Sequence, residues 1–229
     1  MLAVKAERIE RRAPWRAPEA RGEIPAPIGL AHPRLRLLEA IDRLISASSL
    51  VPDQAVLDVR DFAWTAELRE AWHAIRDEAL ATALASHAAP GQGRNYLLWE
   101  HGCQLHDNLR RCPETADIVE RIPGLYNAGF SILSPGTHLP TRRGATKSLI
   151  TCHLGLIIPR DGDARMRIED RVLRWAEGET LVFDDTREHE TWNATSGTRI
   201  VLVLQFRRPL RNPGRWVAGQ FLRFVRRST

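Results

Sequence analysis

The sequence predicts an α+β fold that is mainly β: a double-sheet jelly roll with helices packed outside it. Two observations carry that expectation. Apolar residues recur at helical spacing as far as Glu120, and from Leu125 they alternate with a period of two. The alternating segments are short and separated by turn sequences: Ser134-Pro135-Gly136, Pro159-Arg160-Asp161-Gly162-Asp163, Ala176-Glu177-Gly178-Glu179 and Thr195-Ser196-Gly197. A helical half followed by many short antiparallel strands fits two packed sheets with helices outside.

The elements follow in order. Residues 1–31 are rich in Arg, Pro and Ala with little periodicity, and predict an N-terminal arm. The folded domain is expected over 32–212. Pro33 opens a helix with Leu37, Leu38, Ile41, Leu44 and Ile45 on one side, a first-turn position that suits proline. Thr65 reads as the N-cap of a second helix, in which Leu68, Trp72, Ile75 and Ala79 share a face. A break at Ala88–Gly93 precedes a short strand, Asn95 to Trp99, and a helix near Thr115 to Glu120. Six strands are then expected, at 125–133, 148–158, 164–168, 171–175, 180–184 and 198–206. Residues 213–229 form an amphipathic basic helix, with Val217, Phe221, Phe224 and Val225 as its stripe and Arg215, Arg223, Arg226 and Arg227 around it. Two readings of that helix stand side by side: a cap on the barrel, or a peripheral contact with an anionic membrane.

Composition bounds the function. The chain has 229 residues, 43% of them apolar, and seven Trp, enough for a sizeable core. The net charge of +5 is spread thinly except at the C-terminus, so a nucleic-acid partner is not expected. Cys103, Cys112 and Cys152 have no metal-site spacing, and an odd count argues for a reducing compartment. The N-terminus turns charged before an apolar run builds, and no stretch approaches the roughly 20 apolar residues of a membrane span. The expected location is the cytoplasm.

Alternation also fixes which polar side chains share a strand face. Thr151, His153 and Gly155 point one way, Cys152 and Leu154 the other. Arg199 shares a face with Val201 and Val203, and Ser131 with Gly129 and Leu133. One Ser, one His and one Arg therefore converge inside a barrel, and an Arg fork beside a hydroxyl is a natural clamp for a carboxylate. His189 lies at a strand end after an acidic run.

These residues sit in familiar sequence. The motifs Ser131-Ile-Leu-Ser-Pro-Gly-Thr-His138, His153-Leu-Gly-Leu-Ile-Ile-Pro159, Trp175-Ala-Glu-Gly-Glu-Thr-Leu-Val-Phe-Asp-Asp185 and Glu188-His-Glu-Thr-Trp192 resemble the aspartyl/asparaginyl β-hydroxylase family. So does the helical segment Glu70 to Ala79. The resemblance implies a double-stranded β-helix (jelly-roll, cupin-like) and an Fe(II)- and 2-oxoglutarate-dependent oxygenase. Substrates would be an Asp/Asn-type amino acid or residue, or an acyl chain as in the family's lipid-hydroxylating branch. It further implies that His189 is the distal iron ligand, that Arg199 and Ser131 hold the distal carboxylate of 2-oxoglutarate, and that His153 stands near its other end. Gly144 agrees with the family's lack of a carboxylate ligand.

Two positions depart from the pattern. The first iron ligand should be His, and Arg142 stands there; the Arg expected two residues before His153 is Thr151. His138 does not replace the missing ligand. One Arg is lost and another gained, which keeps the pocket cationic. Three readings follow: an oxygenase with an altered metal site; an iron-free descendant that binds a small anion or uses Arg142 and Arg199 in a non-oxidative reaction; and a structural or partner-binding protein on an inherited scaffold.

Overall fold

A strand buried along its whole length needs cover on both faces, and one nine-residue run shows this best. From Leu149 to Leu156 every residue is buried, although Thr151, His153 and Gly155 alternate with Cys152 and Leu154. The structure, a computed structural model, describes residues 33–84 and 93–228; the arm expected over 1–31 and most of the break at 88–93 lie outside them. Its elements in order are α1 (Pro33–Ser48), β1 (Val56–Leu57), α2 (Thr65–Glu70), α3 (Trp72–Leu84), β2 (Gly93–Glu100), β3 (Cys103–Gln104), α4 (His106–Leu109), α5 (Pro113–Glu120), β4 (Leu125–Leu133), β5 (Thr137–Arg142), β6 (Leu149–Ile157), β7 (Asp163–Ile168), β8 (Arg171–Arg174), β9 (Thr180–Phe183), β10 (His189–Ala194), β11 (Arg199–Arg207) and α6 (Gly214–Ser228).

Eleven strands make two sheets. The larger runs β1-β9-β6-β11-β4-β2-β3 and the smaller β5-β10-β7-β8; the strand pairs are antiparallel, for example β11 with β4 and β6. This is the expected jelly roll, with α2, α3 and α5 on the outer face of the larger sheet. The helix-facing side of the larger sheet, with Phe130, Cys152, Leu154, Leu202 and Leu204, packs on Leu68 and Ile75 of α2 and α3 and on Ile118 and Val119 of α5. Between the sheets a smaller cluster holds Met166, Ile168, Trp175, Phe183 and Val201. The polar faces of β4, β6 and β11 open into the same space.

Three expectations need correction. Thr65 is the first residue of its helix rather than the cap: Trp64 holds the cap position, and the Thr65 hydroxyl donates to the Phe62 carbonyl at 2.8 Å, a local bond that competes with capping. The helix expected from Thr65 onward is two helices, with Ala71 outside both. β5 and β10 were not among the expected strands. Their sequences, Thr-His-Leu-Pro-Thr-Arg and His-Glu-Thr-Trp-Asn-Ala, are polar, and Pro140 is tolerated because β5 is an edge strand. His189 thus begins a strand rather than ending one.

The C-terminal helix forms as expected. Ala218 packs with Ile45 of α1 and Leu210, and Leu222 with Tyr126 and Leu149. Phe224 departs from the expected stripe and is 69% exposed; the inward stripe is Ala218, Phe221, Leu222 and Val225.

Candidate functional site

Neighbouring strands of the larger sheet bring the site together. β11 pairs Val201 with Ser131 of β4 and Val203 with His153 of β6, so alternation on all three strands aims Ser131, His153 and Arg199 into one space. They line a cavity of about 270 Å³ together with Asn95, Arg142 and Gln205. A chamber of about 180 Å³ continues from it, bounded by Arg142, His153, Thr151, Asp185, His189 and Gln205. All five residues singled out in the sequence therefore line these two chambers, which share Arg142, His153, Val203 and Gln205.

Arg199 is 2% exposed. One terminal nitrogen donates to Ser131 Oγ at 3.1 Å, its guanidinium carbon lies 4.6 Å over the Trp175 ring, and its Nε has no partner. No ion pair among the described residues engages it. Burial, and next the charge of Arg142, push its pKa down to about 9. A guanidinium keeps its proton at neutral pH even so. The fold thus holds a buried cation without a counterion, an arrangement that costs stability until an anion arrives.

His153 is the neutral member. Trp175 donates its indole N–H to His153 Nδ1 at 3.2 Å, which leaves the proton on Nε2. Burial, then Arg199, His189 and Arg142, hold its pKa well below 6.5. Gly155 makes this contact available: a Cβ there would stand 2.1 Å from the Ala176 carbonyl oxygen, so only glycine lets the Trp175 loop lie on β6. A ¹⁵N spectrum should show His153 as the Nε2–H tautomer, and Trp175→Phe should let the two tautomers mix. The unfolded chain takes up a proton on this imidazole below about 6.5 and the folded one does not. Stability from this group is therefore intact above pH 6.5 and is lost as pH falls, by up to about 1.4 kcal/mol per pH unit. Thermal unfolding of wild type and His153→Gln across that range reads the difference.

Arg142 and His189 are cross-strand partners on β5 and β10. Arg142 Nε donates to His189 Nε2 at 3.2 Å, while His189 Nδ1 donates to the Arg187 carbonyl at 3.0 Å. Both imidazole nitrogens are thereby committed. The terminal nitrogens of Arg142 make no hydrogen bond among the described residues, and the residue lines both chambers. Arg142 as a residue is exposed, but its head is sheltered, and that burial lowers its pKa against the opposing pull of Asp185.

Fe(II) does not fit this donor set. The lone pair it would take, on His189 Nε2, accepts a bond from a guanidinium, and a cation stands where the second imidazole should be. Among the described residues no cluster of three or more His, Cys, Asp or Glu is arranged for a metal. His138 turns away: its Nε2 lies 2.6 Å from Glu190 Oε1 and its ring stacks on Trp192.

Four site residues were not singled out in the sequence. Gln205 was legible by alternation, since it continues the face of Arg199, Val201 and Val203. Asp185 accepts from Thr151 Oγ1 at 2.9 Å and from Gln205 Nε2 at 2.7 Å, and burial raises its pKa. Thr151, where an arginine was expected, thus anchors a carboxylate. Trp175 and Asn95 reach the site from a turn and a neighbouring strand; Trp175 opens one of the family-like motifs, but alternation alone does not aim either side chain at the site.

The comparisons with known proteins agree with the motifs. A family model described as aspartyl/asparaginyl beta-hydroxylase matches residues 69–209. An ornithine lipid ester-linked acyl 2-hydroxylase from Rhizobium tropici is 36% identical over 178 residues, 71% of this chain and 63% of that protein. The human aspartyl/asparaginyl beta-hydroxylase is 29% identical over 161 residues, 64% of this chain and 21% of that one. The aligned region thus spans about three fifths of the bacterial relative and a fifth of the human one. Among solved structures, the cupin domain of Schizosaccharomyces pombe Cnp3 has a TM-score of 0.36 at 12% identity, covering 63% of this chain and 77% of that one. At that score the fold assignment rests on strand order instead.

Proposed function

This chain belongs to the aspartyl/asparaginyl β-hydroxylase family, and from that premise we propose a member that keeps the family's anion pocket without its iron. Its ligand is a small dicarboxylate, with 2-oxoglutarate as the reference compound. One carboxylate meets the Arg199 guanidinium and the Ser131 hydroxyl. The other meets the terminal nitrogens of Arg142 and the Nε2–H of His153. Charge-assisted bonds of this kind contribute about 1.5–3 kcal/mol each. The observation that carries the reading is the Arg142 Nε–His189 Nε2 bond, which uses the nitrogen a metal would need. The family's chemistry, hydroxylation with Fe(II) and 2-oxoglutarate, is not routed through this site.

The test is metal content. Purified wild-type protein is expected to hold no stoichiometric iron. Arg142→His would set two imidazoles across β5 and β10, and its Fe(II) affinity should exceed that of wild type by at least about a hundredfold, beyond the effect of losing an outer-shell partner. Equal and tight Fe(II) binding by both proteins would defeat the proposal.

A second reading is favoured by one observation. A chamber of about 140 Å³ lined by Tyr126, Leu149, Phe221 and Leu222 also touches Asp185 and Gln205, so an apolar space borders the anion pocket. In that reading the protein hydroxylates an acyl chain, as the name of the Rhizobium relative describes for that protein, with Arg142 displaced from His189. Turnover of 2-oxoglutarate with added Fe(II), abolished by His189→Ala, would support it. No turnover with amino-acid or acyl substrates would remove it.

A further inference from the structure

One buried group at the second chamber takes no part in the dicarboxylate clamp. Asp185 is 7% exposed, and its two oxygens differ. Oδ2 accepts from Thr151 Oγ1 at 2.9 Å and from Gln205 Nε2 at 2.7 Å. Oδ1 accepts no hydrogen bond among the described residues, yet it is not sealed by protein. Gly144 fixes where that oxygen lies. It lines the second chamber but not the apolar one, and a Cβ on it would collide with Oδ1. The open oxygen therefore lies by the chamber that Arg142, His153 and His189 line.

Among the described residues the charge of Asp185 has no counterion. Both donors to Oδ2 are neutral, Thr151 among them where an arginine was expected. Lys147 and Arg208 pair with Asp184 instead. Arg142 feels the charge of Asp185 but forms no ion pair with it, and its Nε goes to His189. A buried carboxylate left this way costs stability until a cationic donor meets it. The sheltered charges point the same way. Arg142, Arg199 and Asp185 sum to one positive charge, whereas a plain dicarboxylate brings two negative ones. A dicarboxylate that also carries an ammonium brings one, and the sum is zero. Glu100 lines the first chamber too, but it is exposed, and its charge is screened.

We infer that the pocket selects a 2-amino dicarboxylate over a 2-oxo one, and that Asp185 makes the choice. This selectivity rests on the two-carboxylate clamp proposed above. The carboxylate held by Arg142 and His153 is the one next to the amino group, and the ammonium donates to Asp185 Oδ1. A 2-oxo group in the same place sets a carbonyl oxygen against a carboxylate oxygen, two acceptors with no proton between them. Asp185 is thus a specificity-determining residue, and Thr151 and Gln205 hold its carboxylate in position.

The test is calorimetric titration of the full chain, treated with chelator, against three ligands of one length: glutarate, 2-oxoglutarate and L-glutamate. L-glutamate should bind at least about tenfold more tightly than glutarate, the effect of one charge-assisted hydrogen bond, and 2-oxoglutarate no more tightly than glutarate. This series needs no variant. Asp185→Asn then keeps one oxygen for Thr151 and Gln205 and offers an amide N–H in place of Oδ1. It should weaken L-glutamate by at least about tenfold and strengthen 2-oxoglutarate, so that the order of the two reverses. The inference is overturned if wild type binds 2-oxoglutarate as tightly as L-glutamate or more so. It is equally overturned if Asp185→Asn melts with wild type and keeps the wild-type order, which would leave Asp185 as a latch for Thr151 and Gln205 alone. Binding of none of the three would defeat the clamp itself, and the selectivity with it, whereas binding in the wrong order defeats the selectivity and spares the clamp.

Discussion

Arg199→Met is expected to abolish dicarboxylate binding while leaving the unliganded protein as stable as wild type or more so. The two halves have one cause. Arg199 is buried, and among the described residues it hydrogen-bonds only to Ser131 Oγ and meets no carboxylate. When a ligand carboxylate arrives it supplies the missing countercharge. Removing one member of such a buried pair costs about 3–5 kcal/mol, roughly two to three and a half powers of ten in affinity. Without ligand the balance reverses, because the buried charge is already pushed toward its neutral form by burial and by Arg142. Methionine fills a similar volume without charge, and buried ionic groups exchanged for apolar ones are often neutral or stabilising. Loss of the Trp175 stacking contact offsets part of that gain. Calorimetry for binding and a melting curve for stability give both numbers. Retained binding, or a melting point several degrees below wild type, would show that Arg199 is a structural residue.

Asp184→Asn should give the largest loss of stability. Asp184 is fully buried; one oxygen accepts from the Thr186 amide and hydroxyl, and the other from Arg208 and Lys147. The Arg208 side chain is only 1% exposed. Losing the carboxylate strands that guanidinium in the interior, at a cost of about 3–5 kcal/mol, against a total stability of about 5–15 kcal/mol. For a domain of this size that lowers the melting point by about 2–4 °C per kcal/mol. The turn that Asp184 ties leads directly to Asp185 and His189, so ligand affinity should fall with it. Arg143→Gln is the control: its pair with Glu188 is exposed on both sides and should barely matter. If the two variants melt together, the buried pair is not holding this turn.

Legibility in the sequence followed the strength of the local pattern. β4, β6 and β11 were clear because nine-residue apolar runs with period two have few other homes. That same period put Ser131, His153 and Arg199 on inward faces, and the cavity has all three. β5 and β10 were not legible as strands, since polar edge-like segments take their pairing from neighbours rather than from propensity. The bond between Arg142 and His189 lay beyond the sequence for the same reason: it depends on the β5–β10 register. Thr151 read as a loss, yet with Gln205 it holds Asp185, a role visible only once three strands are side by side.

The account turns on whether this pocket holds a dicarboxylate without a metal. Titration of 2-oxoglutarate into chelator-treated protein, with and without added Mn(II), measures that directly. The arrangement of Arg142, His153, Ser131 and Arg199 predicts one site of unchanged affinity in both. Binding that occurs only once a divalent metal is supplied would contradict it.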